Sequence, residues 1–257
     1  MIASNRKQTI VELAIVLTLS LGASALYSIL SLVAKLTSPT GLGGSKTVIN
    51  QTASERVWLD VSYQLLDALV GLAPVALVLY LGWLHHQSKL VSVYGLATDA
   101  SWPTLLGRGL ALAAVIGVPG LGLYLASRAL GLSANVIPTD RHPQWWTIVL
   151  LVVFAAKAAL TEELIAIGYL FDRLNSLGFT PRHIIVSSAL LRASYHLYQG
   201  FGGFIGNLVM GLVFGWLFTR WQRGGKSGLW PLIIAHFAID AAVFVGYSLI
   251  DLSSILK

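Results

Sequence analysis

The chain contains no cysteine and little charge, and both absences narrow what it can be. Without cysteine there is no disulfide framework, no thiolate metal site and no thiol nucleophile. Charged residues are 11% of 257, against about 25% in soluble domains, too few to cover a surface facing water. A basic soluble patch is also missing, so the net charge of +6 is not the footprint of a nucleic-acid binder, and no nucleic-acid partner is expected. No repeat or low-complexity tract stands out. The longest polar piece, Ser38–Asp60 with Gly41-Leu42-Gly43-Gly44-Ser45, reads as an outer loop.

Hydrocarbon is what the chain has in quantity. Hydrophobic residues make up 56% and the mean hydropathy is +0.74. Apolar stretches near the roughly 20 residues that cross a bilayer recur along the whole length. Spans are expected near Ile10–Leu36, Ser62–Leu84, Leu105–Leu132, Trp145–Phe171, His183–Tyr198, Phe204–Trp221 and Leu229–Ile250. The fold class is therefore all-α, a polytopic membrane helix bundle of about seven to eight transmembrane helices. The first segment is too long for a signal h-region and is expected to stay as a helix.

Basic residues suggest an orientation. With the N-terminus in the cytoplasm, Arg6, Lys7, Lys89, Arg108, Arg173, Arg182, Arg220, Arg223 and Lys226 fall inside. Lys35, Lys46, Arg56, Arg128, Arg141 and Lys257 fall outside. The bias has the sign of the positive-inside rule, and it suits an integral multi-pass protein of a bacterial cell membrane. Trp58, Trp83, Trp102, Trp145, Trp146, Trp221 and Trp230 lie near segment ends, where interfacial aromatics belong.

Against this background three fragments stand out: Thr161-Glu162-Glu163, Arg192-Ala193-Ser194-Tyr195-His196 and His236-Phe237-Ala238-Ile239-Asp240. A charge near the bilayer centre costs a few kcal/mol on insertion scales, so such residues face the protein interior or a water-filled cavity and mark function. Adjacent helical residues point about 100° apart, so one of Glu162 and Glu163 is free for chemistry while the other ties its helix to a neighbour. His236 and Asp240 stand at i and i+4 and share a helix face. At 1.5 Å per residue, Glu162 lies roughly 16 Å from the inner end of its helix, His196 roughly 21 Å and His236 roughly 10 Å. In a hydrocarbon core of about 30 Å the three fragments can meet.

The order Glu-Glu, then a His closing a short motif, then His-x-x-x-Asp resembles the CPBP intramembrane proteases, which include the type II CAAX prenyl endopeptidases and the bacterial Abi proteins. Their usual motifs are EExxxR, FxxxH and HxxxN/D. The resemblance runs from about Trp145 to Ile250, so 143–257 is expected to be the catalytic core, and 1–142 to hold transmembrane helices without a matching motif. Two positions depart from the pattern: Ile167 stands where the family has Arg, and Arg192 where it has Phe. The expectation is that the guanidinium has moved, with Arg192 pairing with Glu163.

The resemblance implies peptide hydrolysis of a membrane-associated protein or peptide, which in the family extends to lipid-modified CAAX-type substrates. A carboxylate in a low-dielectric site is a stronger general base. Glu162 suits that role, with His196 helping to hold the water and His236 and Asp240 positioning the oxyanion or completing a polar cage. The same residues allow a metal version. Glu162, His196 and His236 would form the two-His, one-Glu set of a catalytic Zn2+ site, leaving a fourth position for water. A silent scaffold or Abi-type immunity protein is a second reading, and a proton-coupled transporter a third. Elsewhere, Gly202-x-x-x-Gly206 and Gly211-x-x-x-Gly215 read as close helix packing, Asn207 as a bond to a neighbour or a cavity lining, Pro119-Gly120 as a kink, and Gly200–Gly203 as a gate beside His196. His85-His86 read as a solvated loop, and Glu12 and Asp67 as paired or interfacial.

Overall fold

The computed structural model describes residues 5–97, 100–141, 144–224 and 228–249. Lys226, Lys257 and Ile250, used above for topology and for a helix end, lie outside the described residues. In chain order the elements are α1 (Arg6–Thr18), α2 (Leu21–Leu36), α3 (Gly41–Gly44), β1 (Lys46–Asn50), α4 (Val57–Gly71), α5 (Ala73–His86), α6 (Leu90–Val93), α7 (Trp102–Ala129), β2 (Asn135–Thr139), α8 (Trp145–Glu163), a π-helical segment (Leu164–Tyr169), α9 (Leu170–Ser176), α10 (Pro181–Tyr195), α11 (Phe201–Arg223) and α12 (Trp230–Leu249). A 3-10 turn, Leu197–Gln199, joins α10 to α11.

Local chemistry sets several of these boundaries. Asn5 caps α1: its side chain accepts from the Gln8 N–H while Gln8 reaches back to the Asn5 N–H, a reciprocal capping box. Pro103 and Pro181 sit in the first turns of α7 and α10, where a missing N–H costs nothing. Gly200, with φ +101°, precedes α11. A side chain there would meet the Leu132 carbonyl at 2.7 Å, so the turn after His196 needs glycine.

Helix α8 runs through the bundle with α12, α4 and α5 around it, while α10 packs on α11 and α2. The main core gathers Leu164, Ile165, Ile167, Tyr169, Phe214, Phe218, Leu229 and Leu232. The outer surface is apolar too: Leu69, Val118 and Leu130 are 71%, 72% and 72% exposed. So greasy a surface has hydrocarbon as its solvent.

Among the described residues four helical stretches are long and apolar enough to cross a membrane: Val57–Val93, Trp102–Ala129, Phe201–Arg223 and Trp230–Tyr247. The pair α1–α2, bent by 51°, makes a fifth if it is one span. Seven to eight were expected. Trp145–Phe171 and His183–Tyr198 are not among the five; α8 carries Lys157, Glu162 and Glu163, and α10 has 15 residues. The all-α membrane bundle stands, with four to five spans by length and composition.

Two readings need correction. The polar piece Ser38–Asp60 is not merely a loop. It holds α3 and β1, and β1 pairs in parallel with β2 in the register Lys46–Asn135, Thr47–Val136, Val48–Ile137 and Asn50–Thr139. The joining network is buried: Arg141 donates to Asp60 at 2.8 Å and to the Asn50 and Gln51 carbonyls. His85 and His86 are not solvated either. They end α5, where His85 meets Glu12 at 2.8 Å and His86 meets Asp172 at 2.8 Å. Asn207 bonds back to the Gly203 carbonyl of its own helix. Helix α7 continues through Pro119, Asp67 pairs with Lys157 at 2.6 Å, and Phe201–Gly203 form the first turn of α11.

Candidate active site

The site is built where α8, α10 and α12 converge. Glycine permits the approach: a side chain at Gly211 would meet the Ala189 Cα at 2.7 Å, so α11 lies against the face of α10 that carries Arg192. The Phe214 ring then sits 5.5 Å beneath the Arg192 guanidinium, a cation–π contact inside the bundle.

Glu162 and Glu163 diverge as neighbouring helical residues must. Glu163 is fully buried. Its Oε1 accepts from the Arg192 guanidinium at 2.5 Å and from His236 Nδ1–H at 2.7 Å. Arg192 is 1% exposed, and its other nitrogen reaches Glu162 Oε2 at 3.3 Å. A buried ion pair persists only when both charges are well bonded; Glu163 Oε1 carries that duty, while its buried Oε2 has no hydrogen-bond partner among the described residues. The Arg192–Glu163 pairing expected from the displaced guanidinium is present.

Glu162 faces a different environment. Its side chain retains 14% exposure, and the Tyr195 hydroxyl donates to Oε2 at 2.7 Å. Its second oxygen is left for another partner. Tyr195 was not singled out by sequence beyond its suitability for an interface. It is 5% exposed and lies one residue from His196, a position only the fold reveals as pointing at Glu162.

His196 ends α10, where Nδ1–H donates to the Arg192 carbonyl at 3.0 Å. That bond fixes the tautomer and makes Nε2 the acceptor. The ring lies 4.7 Å from Tyr195 and 6.2 Å from Tyr198, and makes no hydrogen bond to Glu162. His236, with Nδ1 on Glu163, turns Nε2 toward Asp240 at 3.4 Å and Glu162 at 4.0 Å. All six expected residues therefore belong to one neighbourhood, with His196 joined through Arg192 and Tyr195.

The zinc arrangement does not form. Among the described residues no three His, Asp or Glu side chains make a group that could hold a metal ion. Glu162 Oε2 is engaged by Tyr195 and Arg192, and the Arg192 guanidinium already supplies positive charge beside the carboxylates. As placed here, Glu162, His196 and His236 do not gather into a three-ligand set.

The π-helical segment begins directly after Glu163 and is buried throughout. Such segments mark functional sites more often than chance because they rotate the register of the helix beyond them. Ile167, at the position of the family Arg, is 1% exposed and packed in the main core. The charge on Glu163 is met instead from α10, by Arg192. A side chain at Gly168 would meet the Tyr94 ring at 3.4 Å.

No curated protein and no solved structure matches the chain significantly. Residues 144–242 match the family model described as type II CAAX prenyl endopeptidase Rce1-like. That range contains every residue of the cluster, from Glu162 on α8 to Asp240 on α12. The match over residues 144–242 supports the CPBP family for this membrane protein and, at the level of the family, a protease activity.

Proposed function

We propose that the chain is an intramembrane endopeptidase that hydrolyses a peptide bond in a membrane-associated protein or peptide, CAAX-type lipid-modified substrates included. The observation that carries this reading is the division of labour between adjacent carboxylates. Glu163 is locked by Arg192 and His236, while Glu162 is held by Tyr195 with its second oxygen facing the site. Glu162 takes a proton from water as the hydroxide oxygen adds to the scissile carbonyl carbon. His196 Nε2, a lone-pair acceptor in its fixed tautomer, holds that water. Negative charge grows on the carbonyl oxygen, and His236 Nε2, when protonated, donates toward it. Asp240 orients the imidazole. Collapse breaks the C–N bond, and the proton on Glu162 passes to the leaving amine. Arg192 and Glu163 position the machinery without touching substrate.

The bias of basic residues supports a cytoplasmic N-terminus, and the membrane proposed for the chain is that of a bacterial cell. The test compares protein termini in membranes from native cells carrying wild type, Glu162→Gln or His196→Ala at matched abundance. Termini present with wild type and lost in both variants support the reading and name the substrate. An unchanged profile with both variants folded refutes it and moves the assignment to a scaffold.

A further inference from the structure

We propose that the outer edge of β1 is a docking strand for the extended segment of the substrate, which adds to the sheet beside the site. This rests on the endopeptidase reading above. The peptide group of an intact helix is hydrogen-bonded within its own chain. A membrane-embedded substrate must therefore be unwound around the bond to be cut, which leaves N–H and C=O groups without partners. In hydrocarbon each such group costs several kcal/mol. An enzyme that cuts there has reason to offer replacement hydrogen bonds, and a strand edge offers them for any side-chain sequence.

The two-stranded sheet has one edge free for this. Along β2 the outward N–H of Val136 is taken by the Tyr124 hydroxyl at 3.2 Å, and Pro138 has no N–H to give. Along β1 the register identifies the open groups. The Asn135 N–H donates to the Ser45 carbonyl, and Lys46 stands opposite Asn135. Bonding direction alternates residue by residue in a parallel ladder. Thr47 and Ile49 thus bond toward β2, while the N–H and C=O of Val48 point away. Among the described residues neither of those two groups has a partner. Two strands alone are also a marginal sheet, and three are the usual minimum.

Position ties this edge to the cluster. The odd-numbered side chains of β1 face the bundle. Thr47 donates to the Tyr198 carbonyl at 3.2 Å, two residues beyond His196, and Ile49 packs on the group of Leu150, Leu151, Phe154 and Phe244 from α8 and α12. The Tyr198 ring in turn stacks beside the His196 ring. A third strand would lie about 4.8 Å beyond β1, on a sheet whose inner face is joined through Thr47 and Tyr198 to the turn after His196.

Val48→Pro removes the outward donor and leaves the ladder donors of Thr47 and Ile49 in place. The expected result is cleavage slowed about tenfold, the equivalent of one backbone hydrogen bond, with an unchanged melting temperature in detergent. Because proline can also disturb a strand, a second measurement uses Glu162→Gln with a synthetic peptide spanning the cleaved bond named by the terminus comparison. At saturating peptide the amide of Val48 should exchange with deuterium at least tenfold more slowly. A Val48→Pro protein that cleaves at the wild-type rate, or a Val48 amide that exchanges unchanged under bound peptide, overturns the docking edge alone. Termini that persist in Glu162→Gln overturn the protease reading and this proposal with it.

Discussion

Replacing Arg192 by methionine should be the most damaging single substitution outside the reacting groups. The guanidinium is 1% exposed and its partner Glu163 is fully buried. Methionine fills much of the same volume against Phe214 but leaves a carboxylate without its cation. Breaking a buried pair from one side costs about 3–5 kcal/mol, whereas replacing both partners by well-packed neutral groups is often close to neutral. His236 remains on the same Glu163 oxygen at 2.7 Å and can carry the compensating charge, so the lower end, about 3 kcal/mol, applies. For a chain of this size that corresponds to a fall in melting temperature on the order of 10 °C. The assay is thermal unfolding of purified protein in one detergent at fixed pH. Arg192→Met with Glu163→Gln should recover most of the loss, and the charge swap Glu163→Arg with Arg192→Glu should fold better than either single change. A single Arg192→Met that melts within about 2 °C of wild type would refute the claim that this pair holds α8 to α10.

Tyr195→Phe should fold normally yet cleave about ten- to a hundredfold more slowly, because the hydroxyl that orients Glu162 is gone while the ring stays. Its pH–rate profile should also move, since the bond is to the proposed base; a profile superimposable on wild type would argue against a positioning role. Chelation should leave cleavage unchanged, as Glu162, His196 and His236 do not form a ligand set. A stoichiometric metal in purified protein that disappears in His196→Ala would overturn that expectation.

Much of the site was legible because charge is conspicuous in hydrocarbon. Glu162, Glu163, Arg192, His196, His236 and Asp240 could be picked out against apolar neighbours by desolvation cost alone, and helical geometry already allowed the two glutamates to divide their roles. Tyr195 was not legible, since a tyrosine near a helix end is equally an interfacial anchor, and only the approach of α8 to α10 turns its hydroxyl toward Glu162. His85 and His86 were misread for the converse reason. Their partners Glu12 and Asp172 lie 73 and 86 residues away, and a pair of histidines at a helix end looks solvated until those helices are docked.

Composition and periodicity by themselves determined that the chain is an all-α membrane protein, because apolar runs near the bilayer length admit few other folds. They also determined which residues had to be paired or functional, since an isolated intramembrane charge is too costly to keep. The tertiary structure decided everything that depends on distance between helices: that Arg192 rather than residue 167 meets Glu163, that Glu162 keeps an oxygen free, and that Ser38–Asp60 and the segment before α8 form a parallel pair. Parallel strands take their partners from far along the chain, and Lys46 and Asn135 are separated by four intervening helices. No local pattern encodes such a partner; packing of the helices between them brings the two together.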